Sequence, residues 1–296
     1  MTYSILGRDP ETGALGVAVQ SHWFSVGSVV TWGAPGVGVV ATQANAEVSY
    51  GPRALELLQA GRGAQDALAE LVGQDPSAAS RQVAVMDGQG QAAVHTGSEC
   101  MPLAGHVVGA HACCQANIMA SGDVWPAMLE AFDQAAGPLP GRLLDALDAG
   151  EQAGGDLRGR QSAALLVVEA QGPPWQTAVS LRVEDDPEPL VELRRLLAVH
   201  DAYRLAGEAD ELVGQGRHDE AARLYRQASA LDADNHELRF WAGLGAAQGG
   251  DLELAVAEIQ AAIAAHPPWR EFLERIPAPV APSAPSVLAR LRADPG

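Results

Sequence analysis

The chain is 296 residues long, 47% hydrophobic, and carries 19 basic against 37 acidic residues, a formal net charge of −18. So acidic a surface repels phosphate backbones and anionic bilayers, which argues against nucleic acid and membrane as partners. Every basic residue is arginine, so the sequence offers no lysine for a Schiff base, a phosphate loop or a Ser–Lys or Thr–Lys dyad. The three cysteines, Cys100, Cys113 and Cys114, are too few for a disulfide framework, and the adjacent pair reads as core packing. Arg8 and Asp9 stand where a secretory signal needs its apolar run. The longest apolar stretch, 29–41, is broken by Gly33, Pro35, Gly36 and Gly38, so a soluble cytoplasmic protein is expected.

In chain order, Thr2 heads an alternating strand. Strands are predicted over 3–8 and 14–20, joined by the hairpin-loop signal Asp9-Pro10-Glu11-Thr12-Gly13. A second hairpin pairs 29–32 with 37–42 across Gly33-Ala34-Pro35-Gly36. The period then changes: Leu55 and Leu58, followed by Ala64, Ala67, Leu68, Leu71 and Val72, recur at helical spacing. Strands return at 82–86 and 91–95 around Asp87-Gly88-Gln89-Gly90, and again near 107–112. Val124, Met128, Leu129 and Phe132, then Leu143, Leu144 and Leu147, mark a second helical block, and strands 163–168 and 177–183 follow it. This order predicts an α+β domain over 1–186, with sheets packed face to face and helices outside.

The remainder carries a repeat. Gly216, Ala221, Tyr225, Ala228 and Ala233 recur 34 residues later as Gly250, Ala255, Ile259, Ala262 and Pro267. Small residues at these places let paired helices approach closely while the larger one fills the groove, a pattern that resembles the tetratricopeptide repeat. An all-α repeat domain is therefore expected over 187–276, with 190–205 and 269–276 as capping helices. The four prolines of 277–285 predict an extended linker within a Pro/Ala-rich tail, 277–296. Such repeats suit a protein or peptide partner, and two of them leave apolar ends that predict a homo-oligomer.

Removal of Met1 would leave Thr2 with a free α-amine, so that one residue holds both a hydroxyl nucleophile and its general base. The first half as a whole resembles a bacterial and archaeal family of unknown function, classed with the N-terminal nucleophile (Ntn) hydrolases. The resemblance rests on Thr2-Tyr3-Ser4-Ile5, Gly16-Val17-Ala18-Val19, Ala41-Thr42-Gln43, Tyr50-Gly51, His95-Thr96-Gly97 and Ala104-Gly105-His106. Gly154-Gly155-Asp156 and 158–165 complete it. It implies a four-layer αββα sandwich, Ntn-hydrolase-like, and hydrolysis of a small amide or peptide-like bond. It also assigns Thr2 as nucleophile, Asp156 and Ser162 as the groups that orient its amine, and Asn117 as oxyanion donor. The absence of lysine departs from proteasome-type members and leaves the α-amine as sole base, because arginine stays protonated.

Further candidates surround this set. Ser21-His22 either lines the same cleft or caps the second strand, and Gln43 and Asn45 either meet substrate or cap the following helix. His95 joins the substrate-binding candidates. Arg158 and Arg160 either clamp a substrate carboxylate or pair with Asp156 and Glu151. Gly154-Gly155-Asp156 lacks the strand–turn–helix setting of a phosphate cradle. His95, Cys100, His106 and His111 lack metal-ligand spacing, so neither metal nor cofactor is expected. The alternative to an enzyme is a catalytically silent scaffold that acts through its repeats.

Overall fold

A computed structural model describes residues 2–293. Two compact units divide the chain, Met1–Arg195 and Leu196–Gly296. No described helix is long and apolar enough to cross a membrane.

In the first unit, β1 (Thr2–Arg8) and β2 (Leu15–Ser21) form the first hairpin, and β3 (Thr31–Ala34) and β4 (Gly38–Ala44) the second. Helices α1 (Tyr50–Gln59) and α2 (Ala64–Gln74) lead to β5 (Arg81–Asp87) and β6 (Ala92–Thr96). Then come β7 (Gly105–Val108), β8 (Ala112–Asn117), α3 (Val124–Gln134), α4 (Leu139–Gln152), β9 (Ser162–Val168) and β10 (Val179–Val183). Six strands form one antiparallel sheet in the order β10-β9-β2-β1-β8-β7, and four form the other, β3-β4-β5-β6. The single strand expected near 107–112 is split: 107–108 end β7, a turn occupies 109–111, and Ala112 opens β8. Gly109 N–H bonds to the Ala112 carbonyl, and β8 begins where the turn ends.

Strand alternation explains the layering. Leu6, Leu15, Val17 and Val19 pack with Val39, Ala41, Ala84 and Met86 in one buried apolar core between the two sheets. On the outer face of the small sheet, Val40, Val83 and Val85 meet Tyr50, Ala54, Leu68 and Leu71 of α1 and α2. On the outer face of the large sheet, Gly16 lets Leu143 of α4 sit where a Cβ would lie only 2.4 Å from its Cδ1. The unit is thus mixed α/β, with helices outside two apposed antiparallel sheets.

The unit boundary falls within α5 (Pro189–Gly214). The second unit continues with α6 (His218–Leu231), α7 (His236–Gln248), α8 (Leu252–Ala265), α9 (Trp269–Arg275) and α10 (Ala284–Ala293). The residues of the 34-residue repeat do what their sizes dictate. Ala221, Ala228, Ala255 and Ala262 are buried at helix contacts, and Tyr225 and Ile259 fill the space between them. Gly216 and Gly250 turn the chain with φ of 75° and 88°, a left-handed conformation costly for other residues. The stretch 277–285 is not extended. Val280 and Ala281 N–H groups both bond back to the Pro277 carbonyl, and α10 then buries Val287 and Leu291 against the repeat helices.

Candidate functional site

At one end of the large sheet, strand register brings four polar residues into a row. Ser162 stands opposite Ser21, Ser21 opposite Thr2, and Thr2 opposite Asn117. A second row, Gln43, Gln82 and Thr96, lies in register on the small sheet. Hydrogen bonds join the rows across the sandwich. Gln43 Nε2 donates to the Thr2 carbonyl at 3.1 Å, and to Gln82 Oε1 at 2.8 Å. Asn117 Nδ2 donates to Gln82 Oε1 at 2.9 Å and to the Thr2 carbonyl at 3.4 Å. Ser4 Oγ donates to Gln43 Oε1 at 2.7 Å, and Gln115 Nε2 donates to the Ala41 carbonyl at 3.1 Å. A buried, interconnected network of this kind fixes geometry more firmly than its separate bonds.

Thr2 is held at the head of β1 by this network. Its Oγ1 lies 3.0 Å from Ser21 Oγ, close enough to share a proton. Although only 6% exposed, Thr2 lines a cavity of about 300 Å³. Trp23, Val26, Val29 and Val30 form one wall, and Gln43, Asn45, Ala44 and Ala46 the other. Both walls carry strained backbone: Ser25 and Ala44 have φ of 56° and 66°. Ile118, next to Asn117, has φ of 57°, a conformation that a β-branched residue rarely adopts. Strain of this kind persists only where surrounding structure over-determines it, and it concentrates at functional sites.

The remaining candidates divide. Asp156 is buried and accepts the His22 N–H at 3.0 Å, the Arg158 N–H at 2.9 Å and the Arg158 guanidinium at 3.1 Å. Ser162 Oγ accepts the Val26 N–H at 3.1 Å and donates to the Trp23 carbonyl, so it staples the cavity-wall turn. Both N–H groups of Asn117 are engaged within the network, which leaves its amide no donor for an oxyanion. Ser21 is fully buried and meets the Thr2 hydroxyl, not solvent. His22 lines a separate surface depression with Arg160, Gln161 and Asp185. Arg160 pairs with Glu151 at 2.7 Å and with Glu188, so it takes the ion-pair role left open above.

His95 does not reach the site. Its register partner is Val83, on the helix-facing side of the small sheet, and its Nε2 lies 2.8 Å from the Ala78 carbonyl. Asn45 borders the cavity and bonds Ser80 Oγ at 3.1 Å. Burial pushes the Cys113 thiol up to about 12, and pushes Cys114 and Cys100 upward too, so none is a poised thiolate. Among the described residues no group of three or more His, Cys, Asp or Glu is arranged to hold a metal ion. Gln82, Gln115 and Ser4 were not among the sequence candidates. Their signal was a polar side chain at an inward position of a strand otherwise apolar.

Two apposed antiparallel sheets with a polar row at one edge, beside a cavity, define a mixed α/β unit, and a helical repeat unit follows it in the chain. The chain belongs to the family of unknown function DUF1028, whose model matches residues 2–193. A tetratricopeptide repeat model matches residues 207–268. Among solved structures, a DUF1028 protein from Silicibacter pomeroyi is 38% identical over 66% of this chain and 84% of its own, with a TM-score of 0.61. Anbu, an ancestral β-subunit from Yersinia bercovieri, is 11% identical over 65% of this chain and 92% of its own, with a TM-score of 0.32. No curated protein matches the chain.

Proposed function

We propose that the first unit is an Ntn-type amidohydrolase of αββα architecture, with Thr2 as nucleophile after removal of Met1. The observation that carries this reading is the Thr2 hydroxyl, 3.0 Å from Ser21 Oγ, at the wall of a preformed cavity. Thr2 Oγ1 attacks the substrate carbonyl while the α-amine takes the hydroxyl proton. As the tetrahedral intermediate collapses, the C–N bond breaks and the ammonium returns its proton to the leaving amine. Water then attacks the ester, the amine again takes a proton, and the C–O bond breaks to restore the hydroxyl. Both Asn117 N–H groups are engaged within the network, so stabilisation of the oxyanion falls to another donor at the cavity wall. Asn117 and Gln43 hold the Thr2 carbonyl, Ser21 orients its hydroxyl, and Asp156 with Arg158 anchors the chain after β2 through the His22 N–H.

Intact mass spectrometry of the purified protein, before and after reaction with a β-lactone, tests this reading. The expected result is loss of the Met1 mass and one adduct mapped to Thr2, with no adduct in Thr2→Ala. A retained Met1, or labelling that survives Thr2→Ala, would exclude the mechanism.

The second reading is a silent scaffold that binds a protein through its tetratricopeptide repeats. It is favoured by one observation: the polar groups nearest Thr2 are already satisfied within the protein. A retained Met1 supports it.

A further inference from the structure

The cavity beside Thr2 is specific in its chemistry. Among the described residues that line it, none has an ionisable side chain, so the Thr2 α-amine freed by loss of Met1 is its one titratable group. Trp23, Val26, Val29 and Val30 supply an apolar wall, and the Thr2 hydroxyl with the Gln43 and Asn45 side of the cavity supplies neutral polar groups. Gln43 is in turn committed to Thr2, Gln82 and Ser4. With that amine neutral, as a general base must be, an ionised group entering the cavity would lose its hydration without gaining a counter-charge. The volume, about 300 Å³, is roughly twice the ~150 Å³ of a dry cavity that binds benzene. It suits a branched aliphatic or phenyl-sized group.

The wall is also braced in place. Ser162 ties the Trp23 carbonyl and the Val26 N–H together, and the Ser25 N–H bonds to the Glu184 carbonyl at 2.9 Å. Ser25 is left-handed within that turn, as is Ala44 on the opposite wall. Trp23 itself is 60% exposed and closes the outer side, a large indole kept at the surface that an apolar ligand would cover. We infer that the cavity is an acyl-group pocket that selects amides whose acyl side chain is uncharged and apolar, with Trp23 as its outer wall. This rests on the assignment of Thr2 as nucleophile. Ser162 is accordingly a positioning residue for selectivity, acting through the Trp23–Val26 turn.

The test uses the full chain with Met1 removed and a set of β-lactones: unsubstituted, isobutyl, benzyl, carboxyethyl and aminobutyl. Rates of Thr2 labelling are followed by intact mass. The isobutyl and benzyl probes should react at least ~10-fold faster than the carboxyethyl and aminobutyl probes. Trp23→Ala should narrow that ratio about 3- to 10-fold. Ser162→Ala should narrow it likewise, and Ser162→Thr, which keeps the hydroxyl, should restore it. Charged probes that react as fast as apolar ones overturn the pocket assignment while leaving the nucleophile intact. No labelling by any probe, the unsubstituted lactone included, removes the nucleophile and this inference with it.

Discussion

Four non-glycine residues among those described have left-handed backbone: Ser25, Ala44, Leu103 and Ile118. They lie on separate loops, yet all gather at the Thr2 end of the sandwich. Leu103 accepts the Met119 N–H and Ile118 the Leu157 N–H, so these loops brace one another around the polar row. A left-handed non-glycine residue costs roughly 1–2 kcal/mol, so replacing Ala44 by glycine isolates that strain. Ala44→Gly should raise unfolding stability by about 1 kcal/mol, read as a higher denaturant midpoint. It should also slow Thr2 labelling, because glycine loosens the turn that forms one cavity wall. Lower stability in this variant would show that the left-handed turn is unstrained.

At the scale of elements, an ion-pair cluster ties the helical layer to the small sheet. Asp75, just beyond α2, accepts Arg81 Nε of β5 at 2.8 Å and the Tyr50 hydroxyl of α1 at 2.9 Å. The Arg81 hydrogen bond, followed by that from the Ser77 backbone, holds the Asp75 carboxyl down to about 2. A depressed carboxyl contributes stability above its unfolded value, ~3.9, and loses it as pH falls through the folded value. Wild-type protein should therefore exceed Asp75→Asn in stability at pH 6, and the gap should shrink between about pH 4 and pH 2. Denaturant midpoints across that range provide the check, and a gap independent of pH would sink the assignment.

Alternation and helical spacing located most of these elements because each is a local pattern. Thr2 and Gln43 stand in the motifs that carry the family resemblance, whereas Asn117 came from the pattern that resemblance implies and Ser21 from its place at the end of the second strand. What stayed hidden depended on pairing between distant strands. Gln82 reads as an ordinary strand start until β5 is placed opposite Asn117, 35 residues away. His95 was the candidate, but a one-residue step on a strand reverses the face, and it is Thr96 that lies in register with Gln82. The turn at 109–111 was missed because no proline and only one glycine mark it, and Ala112-Cys113-Cys114 continues the apolar run. Ser162 sat in the right row, but its hydroxyl was claimed by a turn from another part of the chain.

At the scale of the whole molecule, the two units rest on different solutions to the same problem of burial. The first encloses its core between sheets, whereas a pair of helical repeats leaves an apolar end open. In this chain α9 and α10 cover that end. Val287 and Leu291 of α10 join Phe240, Leu244, Ile259 and Leu273 in one cluster, and Ser283 Oγ donates to the Leu244 carbonyl at 3.1 Å. Fully burying a valine or leucine contributes roughly 1.5–3 kcal/mol, so loss of these two side chains removes about 3–6 kcal/mol before any relaxation. Truncation after residue 276, or the double substitution Val287→Ala with Leu291→Ala, should therefore accelerate amide hydrogen exchange through α7 and α8. Exchange in β1, β2 and β8, and Thr2 labelling, should not change. Protection of α7 and α8 that survives truncation would mean the repeats hold themselves together, and α10 would then be an appendage rather than a cap.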